Sequence, residues 1–225
     1  MRLLPNHRGL KHVRGRRTGD RLDLRVAAQF EVDRRLHDKL WMQRIHRTLP
    51  EPVFVFAMDC SSSMERNGRS TAAYEAIVVM REACKRASIP FSVLGFNDAV
   101  ELLLGWEHPD DTKSQHILSA LLRPDSGTDA ASALDAAEQL LEERPERDRF
   151  VFLMTDGEVS GSDAQEIRAC NARLAQSGVE LLAFGLGTEA NNIFRVFQNA
   201  ELVPDATALP NAFSKALIRA INSAS

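Results

Sequence analysis

The sequence predicts an α/β chain: a mostly parallel, six-stranded sheet with helices on both faces and one antiparallel edge strand. Three observations lead there. Residues 53–58 and 150–154 are short, continuous apolar runs, as in strands buried on both faces. Such runs alternate with longer segments of helical period, which is the pattern of βαβ units. The dipeptide Asn97-Asp98 is a short polar turn between two strand-like runs, so those two strands pair as a hairpin at one edge.

The elements follow in order. Residues 1–20 are rich in Arg and Gly (Arg14-Gly15-Arg16-Arg17-Thr18-Gly19) and read as a loop or flexible arm. In residues 21–48, Val32, Leu36 and Leu40 recur every four positions, which predicts one helix starting near Leu24. The prolines of Leu49-Pro50-Glu51-Pro52 end any helix before them. The chain is thereby expected to divide into a basic arm plus helix over 1–50 and an α/β domain over 51–225.

Within that domain, strands are expected at 53–58, 91–96, 99–104, 150–154, 179–186 and 201–203. Helices are expected at 69–87, 112–122, 129–143, 163–176 and 209–222. Ala73, Ile77, Met80 and Cys84 line the inner face of the first of these, and Ala133, Leu134, Ala137 and Leu141 that of the third. Gly178 ends the fourth.

Composition narrows the function classes. At 44% hydrophobic, the 225 residues are too apolar for a disordered chain. No apolar run approaches the ~18–20 residues of a membrane-spanning helix. No apolar segment follows the basic N-terminus, so neither a secretory signal nor a membrane anchor is expected. Cys60, Cys84 and Cys170 are scattered and form no CxxC pair, which favours a reducing, cytoplasmic setting. The net charge of −3 conceals an asymmetry. Residues 1–50 hold 13 Lys and Arg against 5 Asp and Glu, and the remainder hold 15 against 26.

In open α/β sheets ligands bind outside the carboxyl ends of the strands, so the residues just after each apolar run carry most of the functional information. The first strand runs into Asp59-Cys60-Ser61-Ser62-Ser63, and the strand at 150–154 into Thr155-Asp156-Gly157-Glu158. A third polar segment, Asp125-Ser126-Gly127-Thr128-Asp129, precedes a helix and can fold over the same edge. From these segments two carboxylates, Asp59 and Asp156, and three hydroxyls, Ser61, Ser63 and Thr128, form the candidate set. An all-oxygen set suits a hard cation such as Mg²⁺, which keeps several waters and takes few protein ligands.

Asp59-x-Ser61-x-Ser63, then Thr128, then Asp156 resemble the metal-ion-dependent adhesion site of von Willebrand factor A domains, also called integrin I-type domains. The resemblance covers roughly residues 52–222, in element order as well as motif. It implies a doubly wound, Rossmann-like sheet. It also implies direct metal contact from Ser61, Ser63 and Thr128, with Asp59 and Asp156 acting partly through water. The bound ion is expected to be Mg²⁺, with Mn²⁺ or Ca²⁺ accepted by the same donors. An open coordination position would take an Asp or Glu side chain of a partner protein. Many members carry glycine before the last serine, where this chain has Ser62. The arm Gly15-Arg16-Arg17-Thr18-Gly19-Asp20-Arg21-Leu22-Asp23 and the helix after it resemble the C-terminal part of a cobalt-chelatase subunit. That resemblance implies a partner among AAA+ ATPases of the chelatase or MoxR-like type.

The alternatives rest on fewer residues. Each Ser or Asp taken singly is a common helix cap or turn residue, and Asp98 and Asp129 are read that way. Cys60 is read as a small packed residue, since no base neighbours it in sequence, and Glu158 as a solvent-facing neighbour of the site. The six His residues form no HxxxH or HExxH pair that would hold zinc. Gly185-Leu186-Gly187 lacks the third glycine of a dinucleotide turn, and neither GxxxxGK[ST] nor GxSxG occurs. A Mg²⁺-dependent phosphohydrolase is the enzymatic alternative, but an aspartyl nucleophile usually sits in DxDx[TV] and Ser61 replaces its second carboxylate. The basic arm offers a nucleic-acid footprint without an aromatic platform, so nucleic acid is the weaker partner class.

Overall fold

The computed structural model describes residues 9–30, 33–47, 51–107, 111–122, 127–157, 161–188, 190–205 and 208–223. Val32, Leu49, Pro50, Asp125, Ser126 and Glu158, all used above, lie outside the described residues. The chain divides into two compact units, Met1–Leu49 and Pro50–Ala224.

The first unit contains strand β1 (Gly9–Arg16), β2 (Arg21–Leu22), helix α1 (Leu24–Phe30), a 3-10 turn (Arg34–Lys39) and β3 (Trp41–Arg47). β3 lies between the other two strands and pairs antiparallel with both. A helix does start at Leu24 as expected, but it ends at Phe30, and strands replace both the loose arm and the rest of the expected helix. The β1–β3 ladder uses backbone groups, so Arg-rich composition does not prevent pairing, and Gly15, with φ +72°, sits where the register slips between Val13 and Arg16. Three apolar residues spaced by four were too short a signal. Asp33 caps a new 3-10 turn by accepting from the Arg35 amide at 3.0 Å, which ends the α1 direction. Trp41 and Ile45 then enter a strand, as aromatic and β-branched residues favour.

The second unit has strands β4 (Pro52–Asp59), β5 (Phe91–Phe96), β6 (Val100–Leu104), β7 (Asp148–Thr155), β8 (Val179–Leu186) and β9 (Ala200–Val203). Their order in the sheet is β6-β5-β4-β7-β8-β9. All neighbours run parallel except the β5–β6 hairpin at one edge. The chain starts in the middle at β4, builds outward to β6, then crosses to β7 and builds the other way. The topological switch therefore lies between β4 and β7. Helices α2 (Arg69–Ala87), α3 (Asp111–Leu118), α4 (Ala130–Glu142), α5 (Gly161–Gln176), α6 (Ile193–Val196) and α7 (Leu209–Ser223) connect and cover the strands. The one-turn α6 was not expected, being too short to show a period.

Strand alternation divides the core in two. Phe54, Phe56 and Met58 face the side covered by α2 and α7, while Val53, Val55 and Ala57 face the side covered by α4 and α5. Phe213 of α7 is fully buried against the rings of Phe152, Phe184 and Phe56, with centroids 4.8, 4.9 and 5.6 Å away. Burial on both faces is why the central strands read as unbroken apolar runs. It also fixes the register, because a one-residue slip would exchange the two cores. Among the described residues, no helix is long and apolar enough to cross a membrane.

Candidate metal centre

Asp59 is the last residue of β4, at the carboxyl edge and beside the switch point, and it is fully buried. Its side chain is held on two sides. The Ser61 amide donates to Oδ1 at 2.8 Å, and the Thr155 hydroxyl donates to Oδ2 at 2.7 Å. The first bond tightens the turn leaving β4, and the second ties β4 to the end of β7. Thr155 Oγ1 also accepts from the Gly157 amide at 3.1 Å, so one hydroxyl organises both loops. Each Asp59 oxygen keeps a further lone pair.

The chain then tightens over Ser61 and Ser63. Their hydroxyl oxygens lie 2.9 Å apart, and both residues are buried. The Met64 amide donates to Ser61 O at 3.0 Å, and the fully buried Met64 side chain anchors the loop in the α2-side core. Ser62 begins a 3-10 turn, Ser62–Gly68, at an exposed position, so the absence of glycine there does not open the loop. Asn67 and Gly68, with φ of +56° and +71°, then redirect the chain into α2.

Asp156 follows β7, is 2% exposed, and takes an ion pair from Arg69 (Nη1 to Oδ2, 3.2 Å). Thr128 is half-buried just before α4. Its segment reaches the same edge through two contacts. The Asp129 amide donates to Asn97 O at 2.7 Å, and the neighbouring Phe96 O accepts from the Cys60 amide at 2.7 Å. Gly127, with φ +84°, lies directly on the Asp98 carboxylate, and a Cβ there would come within 1.5 Å of Oδ1. Asp129 caps α4 by accepting from the Ser132 amide at 2.9 Å, which agrees with its reading as a cap.

Burial lifts the Asp59 carboxyl from 3.8 to about 6, against the lowering effect of its Ser61 and Thr155 hydrogen bonds, and the nearby Asp156 charge adds to the rise. A buried carboxylate beside a second one is a site in need of positive charge. Among the described residues, no group of three or more His, Cys, Asp or Glu is arranged to hold a metal ion by itself. A cation at this edge would thus be held by hydroxyls as much as by carboxylates, and that set fits a hard, oxygen-seeking ion. The Cys60 thiol is pushed up to about 12 by burial and by Asp59, which leaves no thiolate for nucleophilic chemistry.

Two residues at this edge were missed as site residues in the sequence reading. Thr155 was legible only as part of the Thr-Asp-Gly run. Arg69 carried no local signal, because its partner is 87 positions away. The Gly185-Leu186-Gly187 run has a packing role. A Cβ at Gly185 would come within 2.5 Å of Ile193, and one at Gly187 within 2.6 Å of the Arg69 guanidinium.

Residues 54–158 match the family model of the von Willebrand factor type A domain. Midasin from Giardia intestinalis is 26% identical over 167 residues, 70% of this chain; the chain spans only 3% of that relative's length. Two solved structures share the fold. Manganese-loaded Plasmodium vivax TRAP protein is 21% identical with a TM-score of 0.57, covering 74% of each chain. The SpRpn10 VWA domain is 14% identical with a TM-score of 0.56, covering 73% of this chain and 95% of that one. Over residues 54–158 the chain therefore matches a von Willebrand factor type A domain in sequence, and the motif placement and sheet order agree with that match.

Proposed function

We propose that the domain is a metal-dependent protein-binding module. Asp59, Ser61, Ser63, Thr128 and Asp156 would hold Mg²⁺, or Mn²⁺ in its place, at the carboxyl edge of the sheet. The observation that carries this reading is Asp59: a fully buried carboxylate, fixed by Ser61 and Thr155, beside a hydroxyl pair and a second buried carboxylate. When bound, the ion supplies an electrophilic position that an Asp or Glu of a partner protein completes. The chain's own residues do the rest. Thr155 and the Ser61 amide hold Asp59 in one orientation, and Met64 keeps the serine loop closed. The manganese-loaded TRAP relative supports a divalent ion in the fold.

Among the described residues, the site shows no activated nucleophile. Cys60 is held as a thiol, and Ser61 and Ser63 are hydrogen-bonded to one another rather than to a base. This favours a binding role over a phosphohydrolase. The partner class we propose is an intracellular AAA+ ATPase or chelatase-type assembly, in the cytoplasm. Tagged full-length protein, wild type and Asp59→Ala, is incubated with lysate with Mg²⁺ or with EDTA. The expected result is a set of partners retained only by wild type and only with Mg²⁺. Identical partners in all four samples would remove the metal from the interaction.

A further inference from the structure

Arg69 is placed against the usual rules for a charged side chain. It is 5% exposed, and its Nε has no hydrogen-bond partner among the described residues. It is also the first residue of the 19-residue α2, where the helix dipole disfavours a cation. Its guanidinium nevertheless lies 3.2 Å from Asp156 Oδ2, over Gly187. Gly187 has φ +97°, and a Cβ there would meet Nη2, Cζ and Nε at 2.6 to 2.9 Å, so the room for the guanidinium depends on that glycine. A long cationic side chain, buried at an unfavourable helix end and left one bond short, is costly unless its charge is used.

We infer that Arg69 is a resident counter-charge that sets cation affinity at the candidate centre, keeping divalent binding weaker than the two carboxylates alone would make it. This rests on the metal-dependent reading above. Asp59 and Asp156 contribute two negative charges, and Arg69 returns one positive charge at the Asp156 side. A divalent ion taken up there meets a fixed positive charge in a poorly screened position. The loaded site, with Arg69 in place, carries a net positive charge and so favours an acidic partner group. Without Arg69 it would be neutral and would hold the ion more firmly.

The test is calorimetric titration of Mn²⁺ into chelator-stripped, full-length wild type, Arg69→Met and Arg69→Lys, with thermal melts in EDTA alongside. Arg69→Met is expected to bind Mn²⁺ at least about fivefold more tightly, yet to melt lower in EDTA, because the buried Arg69–Asp156 ion pair is lost. Arg69→Lys, which keeps the charge, is expected to return affinity toward wild type. A merely structural Arg69 would move stability and affinity in the same direction. A folded Arg69→Met that binds Mn²⁺ no more tightly than wild type overturns the inference while leaving the metal reading intact. Binding absent from all three proteins overturns the metal reading and this inference with it. Should Arg69→Met fail to fold, Arg69→Gln carries the same expectation and the same contrary result.

Discussion

Asp59 sets a conflict between stability and function. Its folded carboxyl titrates at about 6 and its unfolded one near 3.8, so folding favours the protonated form. The associated stability is fully present below about pH 4 and is lost as pH rises through 6, a span worth on the order of 3 kcal/mol. Asp59→Asn mimics the protonated group. In EDTA at pH 7.5 the variant is expected to be more stable than wild type in urea denaturation, and at pH 4 the difference should vanish. Excess Mg²⁺ should reverse the order at pH 7.5, since only the wild type has a carboxylate at position 59 to neutralise. A wild type no less stable than the variant at pH 7.5 in EDTA would contradict the burial argument. Asp59, Ser61, Ser63 and Asp156 were legible in the sequence because each follows an apolar strand directly. Thr128 was legible less directly, as part of a polar segment before a helix that the family pattern then singles out. Arg69 was not legible at all, since an ion pair across 87 residues leaves no local trace.

The same contrast between local and distant information holds for the elements. The central strands and long helices of the second unit were legible because burial on both sheet faces imposes unbroken apolar runs and amphipathic periods. The first unit was misread because its strands are short, charged and stabilised by backbone pairing that composition does not reveal. Helix ends follow local rules again. Ser88 caps α2 at φ +56°, with its amide and that of Ile89 returning to Lys85 O and Cys84 O at 3.2 and 2.9 Å. Serine adopts this left-handed conformation at a cost that glycine avoids. Ser88→Gly is therefore expected to stabilise the domain by about 1 kcal/mol in thermal unfolding. A loss of stability would mean that the Ser88 side chain has a role beyond the cap.

At the scale of the whole molecule, the two units differ in charge and in kind. The first carries the excess of Lys and Arg, whereas the second carries most of the acidic residues, the two-sided core and the entire candidate centre. Because no candidate ligand comes from residues 1–49, their deletion is expected to leave Mn²⁺ affinity within about twofold of full length. A larger loss would place a determinant of the site in the first unit. The central claim, a divalent cation held at the β4–β7 edge, is tested most directly by calorimetric titration of Mg²⁺ and Mn²⁺ into chelator-stripped wild type and Asp59→Ala. One saturable site in wild type, abolished in Asp59→Ala, is the expected result; equal binding in both proteins, or binding in neither, would contradict it.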